Sequence, residues 1–363
     1  GCAMIFMKVI EGSGALDALS SLIIEKFHRF PAVLLVLIML IIMFPGMITG
    51  SSTAAVLSAG SIMAPVLALM GIDAVTSGSI IAMGALLGMI APPVNTAALI
   101  ICAGIDVPYV GFEGPLALIT FPLAILFVLL LGYKQARHMD YEKLKPALEK
   151  QDAIRKQYGV RIYIPLLVLV ALMVIFKVLK LGEDIGMPLM FLISAAVGLF
   201  TGKKINVLTA VPEAIRTAAP VMGILMGVGM FIEVMTATGV RGLVVISCLR
   251  LPSTLWLLAC AISIPLFGAV SSYGACSVLG VPFAYIYASL LGGNSVVVLA
   301  AISLIAAVGD MMPPTALAGL FAAQVTGVEK YTKILKRCIV PIIILLVYAC
   351  FFLANSKLIA GLF

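Results

Sequence analysis

The sequence predicts an all-α polytopic membrane protein. It further predicts two inverted-topology repeats, each with a re-entrant hairpin and a transmembrane helix broken at a Pro-Pro pair. Three observations lead there. The 363-residue chain is 63% hydrophobic and 11% charged, with a mean hydropathy of +1.22, whereas a soluble domain carries about 25% charged residues. Apolar runs approaching the roughly 20 residues needed to cross a bilayer recur along its length, and they lack the alternation of a barrel strand. Finally, one pattern of helix breakers occurs twice. Pro45 precedes Ser51-Ser52 by the same offset as Pro265 precedes Ser271-Ser272, and Gly88 precedes Pro92-Pro93 as Gly309 precedes Pro313-Pro314.

The first repeat covers 1–132. Residues 1–24 read as one helix carrying Lys8, Glu11 and Asp17. Lys8 and Glu11 fall on one face, three apart, and are expected to pair with each other in a structural role. Runs 33–50 and 52–70 meet at Gly50-Ser51-Ser52 and form the first hairpin. Residues 75–104 form one run broken at 91–95, and 114–132 a clean span. The chain opens Gly1-Cys2-Ala3, without methionine, and is expected to be a fragment whose first spans are missing.

A linker over 133–161 separates the repeats. It holds eight Lys/Arg (134, 137, 143, 145, 150, 155, 156, 161) against four acids, which places it in the cytoplasm by the positive-inside rule. The net charge of +7 therefore reads as a topology signal, with no nucleic-acid partner implied.

The second repeat covers 162–363. Spans at 162–180 and 187–201 are followed by a short amphipathic piece, 206–217, leading into 218–237. There Gly223, Gly227 and Gly229 predict close helix packing, and Glu233 reads as interfacial or paired. Runs 253–270 and 273–291 meet at Ser271-Ser272 as the second hairpin. Residues 295–326 are broken at 311–315, and 338–355 is the last span. Walking outward from the linker, the first hairpin opens to the cytoplasm and the second to the outside. The two copies thus have opposite topology.

The seven cysteines show no metal spacing and read as small apolar core residues. His28 and His138 stand in polar loops. No HExxH, Walker A or nucleophile–base pattern is present, so the chain is not expected to be an enzyme. No cofactor is expected, and no metal beyond a transported Na⁺.

The broken segments carry the chemistry. A proline removes a backbone donor and clashes with the carbonyl four residues back. Half-helices then end in free carbonyls and begin in free N–H groups, which suit a hard cation and a carboxylate respectively. Paired interruptions in two halves of a chain point to the binding site of a secondary transporter. A plain helix kink explains one Pro-Pro, but not the matching serines and glycine. One cation site is expected at Gly50, Ser51, Ser52, Gly88 and Asn95, and its mate at Ser271, Ser272, Gly309, Met312 and Thr315. Substrate contacts are expected from Ser52, Thr53, Asn95, Thr96 and Thr315. Asp310, an acid inside an apolar run, is a functional position by default. It could carry a proton or bind a cation.

At these motifs the chain resembles the large membrane subunit of TRAP transporters (DctM-like permeases), within the ion-transporter superfamily. GSSTAAVLSAGSIMAP (50–65) is similar to that family's first hairpin, and GMIAPPVNTAALIICAGIDVPYV (88–110) and GDMMPPTALAGLFAAQVTG (309–327) to its two broken helices. The resemblance implies Na⁺-driven uptake of a small organic acid, such as a C4-dicarboxylate, across a bacterial inner membrane. It implies elevator-type alternating access, a small membrane subunit beside this chain and a periplasmic substrate-binding protein that delivers the substrate. By position, Ser51, Ser52 and Asn95, with Ser271, Ser272 and Thr315, would line the ion and substrate sites. A stand-alone proton-coupled carboxylate permease of the gluconate or citrate type, with Asp310 as carrier, is the alternative within the superfamily.

Overall fold

A computed structural model describes residues 2–137, 153–178, 187–252 and 255–363. Among these, every regular element is helical. Most of the basic linker, 138–152, lies outside the described residues, as do His138 within it and residues 179–186.

The first repeat begins with α1 (Cys2–Ser13) and α2 (Ala15–Phe27), where one helix over 1–24 was expected. The break is Gly14, left-handed at φ 81°, a conformation that costs a residue with a Cβ but not glycine. Helix α3 (Pro31–Thr49) turns at Gly50, again left-handed at φ 67°, into α4 (Ser52–Leu69). Then come α5 (Ala74–Ile90), α6 (Thr96–Gly104) and α7 (Glu113–Ala136). The gap between α5 and α6 is the expected break at 91–95.

In the second repeat a 3-10 turn, Gly159–Tyr163, leads into α8 (Ile164–Val178), and α9 (Met187–Thr201) follows. Helix α10 (Val207–Ala237) is continuous for 31 residues, so the expected junction between 206–217 and 218–237 does not exist. A helix absent from the sequence reading, α11 (Val240–Leu249), comes next. The second hairpin is α12 (Trp256–Gly268) and α13, a run of short helical pieces over 272–290. Helix α14 (Ser295–Ala307) ends in a 3-10 turn, Val308–Met311, and α15 (Leu317–Thr326) resumes beyond the prolines. Helix α16 (Tyr331–Ala354) starts seven residues earlier than the expected span at 338, and a short α17 (Ser356–Ala360) closes the chain.

The repeat extends into backbone detail. Ser51 and Ser271 each accept a hydrogen bond from a backbone N–H three residues on, Ala54 at 3.3 Å and Gly274 at 3.1 Å, and so cap the second arm of each hairpin. Each arm carries a π-helical turn, Val56–Gly60 and Cys276–Gly280. Each Pro-Pro peptide is cis. The half-helices after the hairpins are capped alike, α5 by Asp73 and α14 by Asn294.

Apolar side chains gather into two main bodies. The larger joins α3–α7 and α12–α17, with Ile24 of α2. The smaller joins α1 and α2 with α8 and α9, and Met4 of α1 packs separately on Ala214 and Ala218 of α10. Helices α5 and α14 form the centre of the larger body, buried on all sides over most of their length. A helix apolar all round belongs inside a core. Between membrane helices, association rests on close packing rather than on transfer from water, and the hairpins show it. A Cβ on Gly88 would lie 2.5 Å from the Met43 carbonyl oxygen, and one on Gly309 would lie 2.6 Å from Cα of Gly268. Backbones touch there. By contrast, a Cβ on Gly223, Gly227 or Gly229 meets nothing within 4 Å. Among the described residues nothing packs closely on these three, in a part of α10 that is exposed: Met226 is 68% accessible. Glu233 is likewise exposed. Cys102, Cys260, Cys276 and Cys338 are buried, as expected of core residues.

Candidate functional site

The first serine of each Ser-Ser pair is used locally, as a helix cap. The second reaches across the molecule. Ser52 donates to the Asp310 carboxylate, and Ser272 hydrogen-bonds the same carboxylate. Both hairpin tips therefore converge on one acid in the 3-10 turn before the second Pro-Pro. All three side chains are nearly buried, at 3% exposure for Ser52, 8% for Ser272 and 5% for Asp310. A carboxylate left alone there would be costly, and hydrogen-bond donors offset that cost. The first repeat has no such acid: Met89 follows Gly88 where Asp310 follows Gly309.

Each tip also rests on its own break. In the first repeat the Val94 N–H donates to the Met47 carbonyl at 3.2 Å. A Cβ on Gly50 would lie 2.0 Å from Thr96 Oγ1, so only glycine fits this approach, in a backbone conformation that already favours it. In the second, Thr315 Oγ1 donates to the Ala269 carbonyl at 2.7 Å.

These groups border a cavity of about 800 Å³, within the range of small-molecule sites. Of the residues expected to form sites, Ser51, Ser52, Thr53, Ser271, Ser272, Asp310 and Thr315 line it. Gly50, Gly88, Asn95, Thr96, Gly309 and Met312 are not among its lining residues. Gly88 and Gly309 stand at the backbone contacts already described. Asn95 is fully buried. Its Nδ2 donates to the Ile90 carbonyl at 3.1 Å and to Ser303 Oγ at 2.8 Å, and its Oδ1 accepts from the Ala98 N–H at 2.9 Å. It caps α6 and ties the first break to α14 of the other repeat.

The lining also takes in Met4, Met7, Lys8 and Glu11 of α1, and Thr217 of α10. Lys8 and Glu11 pair as expected, at 3.1 Å. Their place on the cavity wall was not legible in the sequence, although a charge pair inside an apolar helix was a signal that could have raised it. Among the described residues no group of three or more His, Cys, Asp or Glu could hold a transition metal. The oxygen donors present are hydroxyls, carbonyls and the carboxylates of Asp310 and Glu11, which suit hard cations.

Residues 3–356, nearly the whole chain, match the family described as "Tripartite ATP-independent periplasmic transporter, DctM component". The chain belongs to this family. No curated protein matches it. As a DctM component it is the large permease subunit of a TRAP transporter and a multi-pass membrane protein. The family is one of transporters rather than enzymes. Among the described residues five helices are long and apolar enough to cross a bilayer, and α5, α9, α12, α14, α15 and Val278–Leu290 of α13 are shorter apolar helices.

Proposed function

We propose that this DctM component imports a small organic anion by Na⁺-coupled, elevator-type transport across a bacterial inner membrane, with a small membrane subunit and a periplasmic binding protein. One observation carries this reading. The two hairpin tips meet on Asp310 at a cavity lined by residues from both packed bodies. The larger body, with both hairpins and both broken helices, is the moving part. The smaller, with α1 and α2, is part of the scaffold. Inverted topology of the repeats, with each hairpin re-entrant from its own side, would let one body expose the cavity to either face.

Two cation sites belong to this proposal. One lies where the Gly50–Ser52 turn meets the break around Gly88 and Asn95. The other lies where Ser271-Ser272 meets Gly309, Met312 and Thr315. Ser52, Thr53 and Thr315 contact substrate from the cavity wall. Asn95 and Thr96 act from behind it, by holding the first break against the Gly50 turn. A proton-coupled permease is the second reading, favoured by the burial of Asp310.

The test is the melting temperature of the full-length protein in NaCl, against KCl and choline chloride at matched ionic strength, at pH 6 and pH 8. A ligand that binds only the folded state at 100 times its Kd adds about 2.7 kcal/mol. A Na⁺-specific rise that Thr315→Ala diminishes supports the sodium reading. A rise that depends on pH alone and vanishes in Asp310→Asn replaces it with proton coupling.

A further inference from the structure

The cavity carries an asymmetry of charge that the family assignment does not supply. Lys8 is the single cation among its described lining residues, and it stands on α1. Asp310 lines the same cavity from the turn between α14 and α15, buried and bonded to Ser52 and Ser272. A carboxylate offers about four lone-pair sites. The two serine hydroxyls use two, so Asp310 can still accept from a ligand. It cannot receive a ligand's carboxylate without like-charge repulsion, which in a desolvated site acts as rejection. Lys8 can: its ammonium has three donors, and Glu11 at 3.1 Å occupies one side of it.

We propose that Lys8 and Asp310 are the two poles of the substrate site. Lys8 takes the substrate carboxylate in competition with Glu11, and Asp310 accepts from a hydroxyl or ammonium group elsewhere on the same molecule. The substrate class is therefore a hydroxy- or amino-carboxylate rather than a bare carboxylate. This rests on the organic-anion reading above and narrows it.

The experiment uses the full-length protein with its partner subunits. Thermal shifts with added NaCl give Kd values for matched acids: L-malate and L-aspartate against succinate, D-glycerate and L-alanine against propionate, D-gluconate against hexanoate. Wild type is compared with Lys8→Gln and Lys8→Arg. The ligand-free melting temperature reports whether each variant folds. The expected result is stabilisation by hydroxy- or amino-acids at least about tenfold tighter than by their plain partners. Lys8→Gln should weaken these ligands about tenfold, and Lys8→Arg should restore most of the loss. A plain carboxylate binding as tightly as its partner, or a Kd unchanged in Lys8→Gln, overturns the two-pole assignment while leaving organic-anion transport standing. No stabilisation of wild type by any acid overturns the organic-anion reading itself, and this proposal with it.

Discussion

Ser52 and Asp310 are 258 residues apart in sequence and joined by a hydrogen bond. The bond links the tip of one repeat's hairpin to the broken helix of the other. Ser272, the repeat mate of Ser52, joins the same carboxylate. The two repeats therefore meet on one carboxylate.

Removing either serine hydroxyl takes one donor from a buried carboxylate. Hydrogen bonds to charged groups contribute about 1.5–3 kcal/mol, so Ser52→Ala and Ser272→Ala should each weaken substrate binding by about tenfold or more. Ser51→Ala and Ser271→Ala remove only helix caps, which typically costs about 1 kcal/mol of stability. Uptake into proteoliposomes and melting temperature, measured on all four variants, should separate the two pairs. Equal effects on affinity across the four would count against the division of roles.

The glycines at backbone contacts should not tolerate a methyl. Gly88→Ala forces a Cβ to within 2.5 Å of a carbonyl oxygen, and Gly309→Ala meets Gly268 at 2.6 Å. Overpacking of this kind costs about 1–3 kcal/mol. Gly223→Ala faces open space in the same protein and should be neutral or stabilising, since alanine favours helix by about 1 kcal/mol over glycine. Thermal unfolding of the three variants in one detergent is the check.

Asn95 satisfies three buried partners. Asn95→Leu should therefore lower stability by about 1–3 kcal/mol, since the Ile90 carbonyl loses this donor and Ser303 Oγ keeps only its bond to the Ala300 carbonyl. The added mutation Ser303→Ala should recover part of the loss. A double-mutant cycle with no coupling would remove Asn95 as the tie between repeats.

Asp73 gives a pH signature outside the membrane-spanning segments. Partial burial pushes its carboxyl up, but the Thr76 N–H, the Gln135 side chain and the Arg337 charge outweigh it and hold the pKa below the ordinary 3.8. A depressed folded pKa contributes stability that is present above the unfolded value and lost as pH falls through the folded one. The difference in melting temperature between wild type and Asp73→Asn should be present at pH 7 and shrink as pH falls below about 3.8. Gln135→Ala, which removes a 2.5 Å hydrogen bond to Asp73, should raise the onset of that loss toward 3.8.

The sequence by itself determined the fold class, the two hairpin turns and the two Pro-Pro breaks. These are local: apolar run length, glycine at a left-handed turn and proline's missing donor act within a few residues. It did not determine that Gly14 splits the first helix, that α10 runs unbroken through 217–218, or that 240–249 is a helix. Local preference for these is weak, and packing decides. Nor could it separate the two serines of each pair, since capping and reaching a distant acid demand the same hydroxyl. Only the tertiary structure brought Ser52, Ser272 and Asp310 together and set Lys8 and Glu11 on the same cavity. Those contacts depend on how helices distant in sequence stack, which hydropathy and spacing along one chain do not encode.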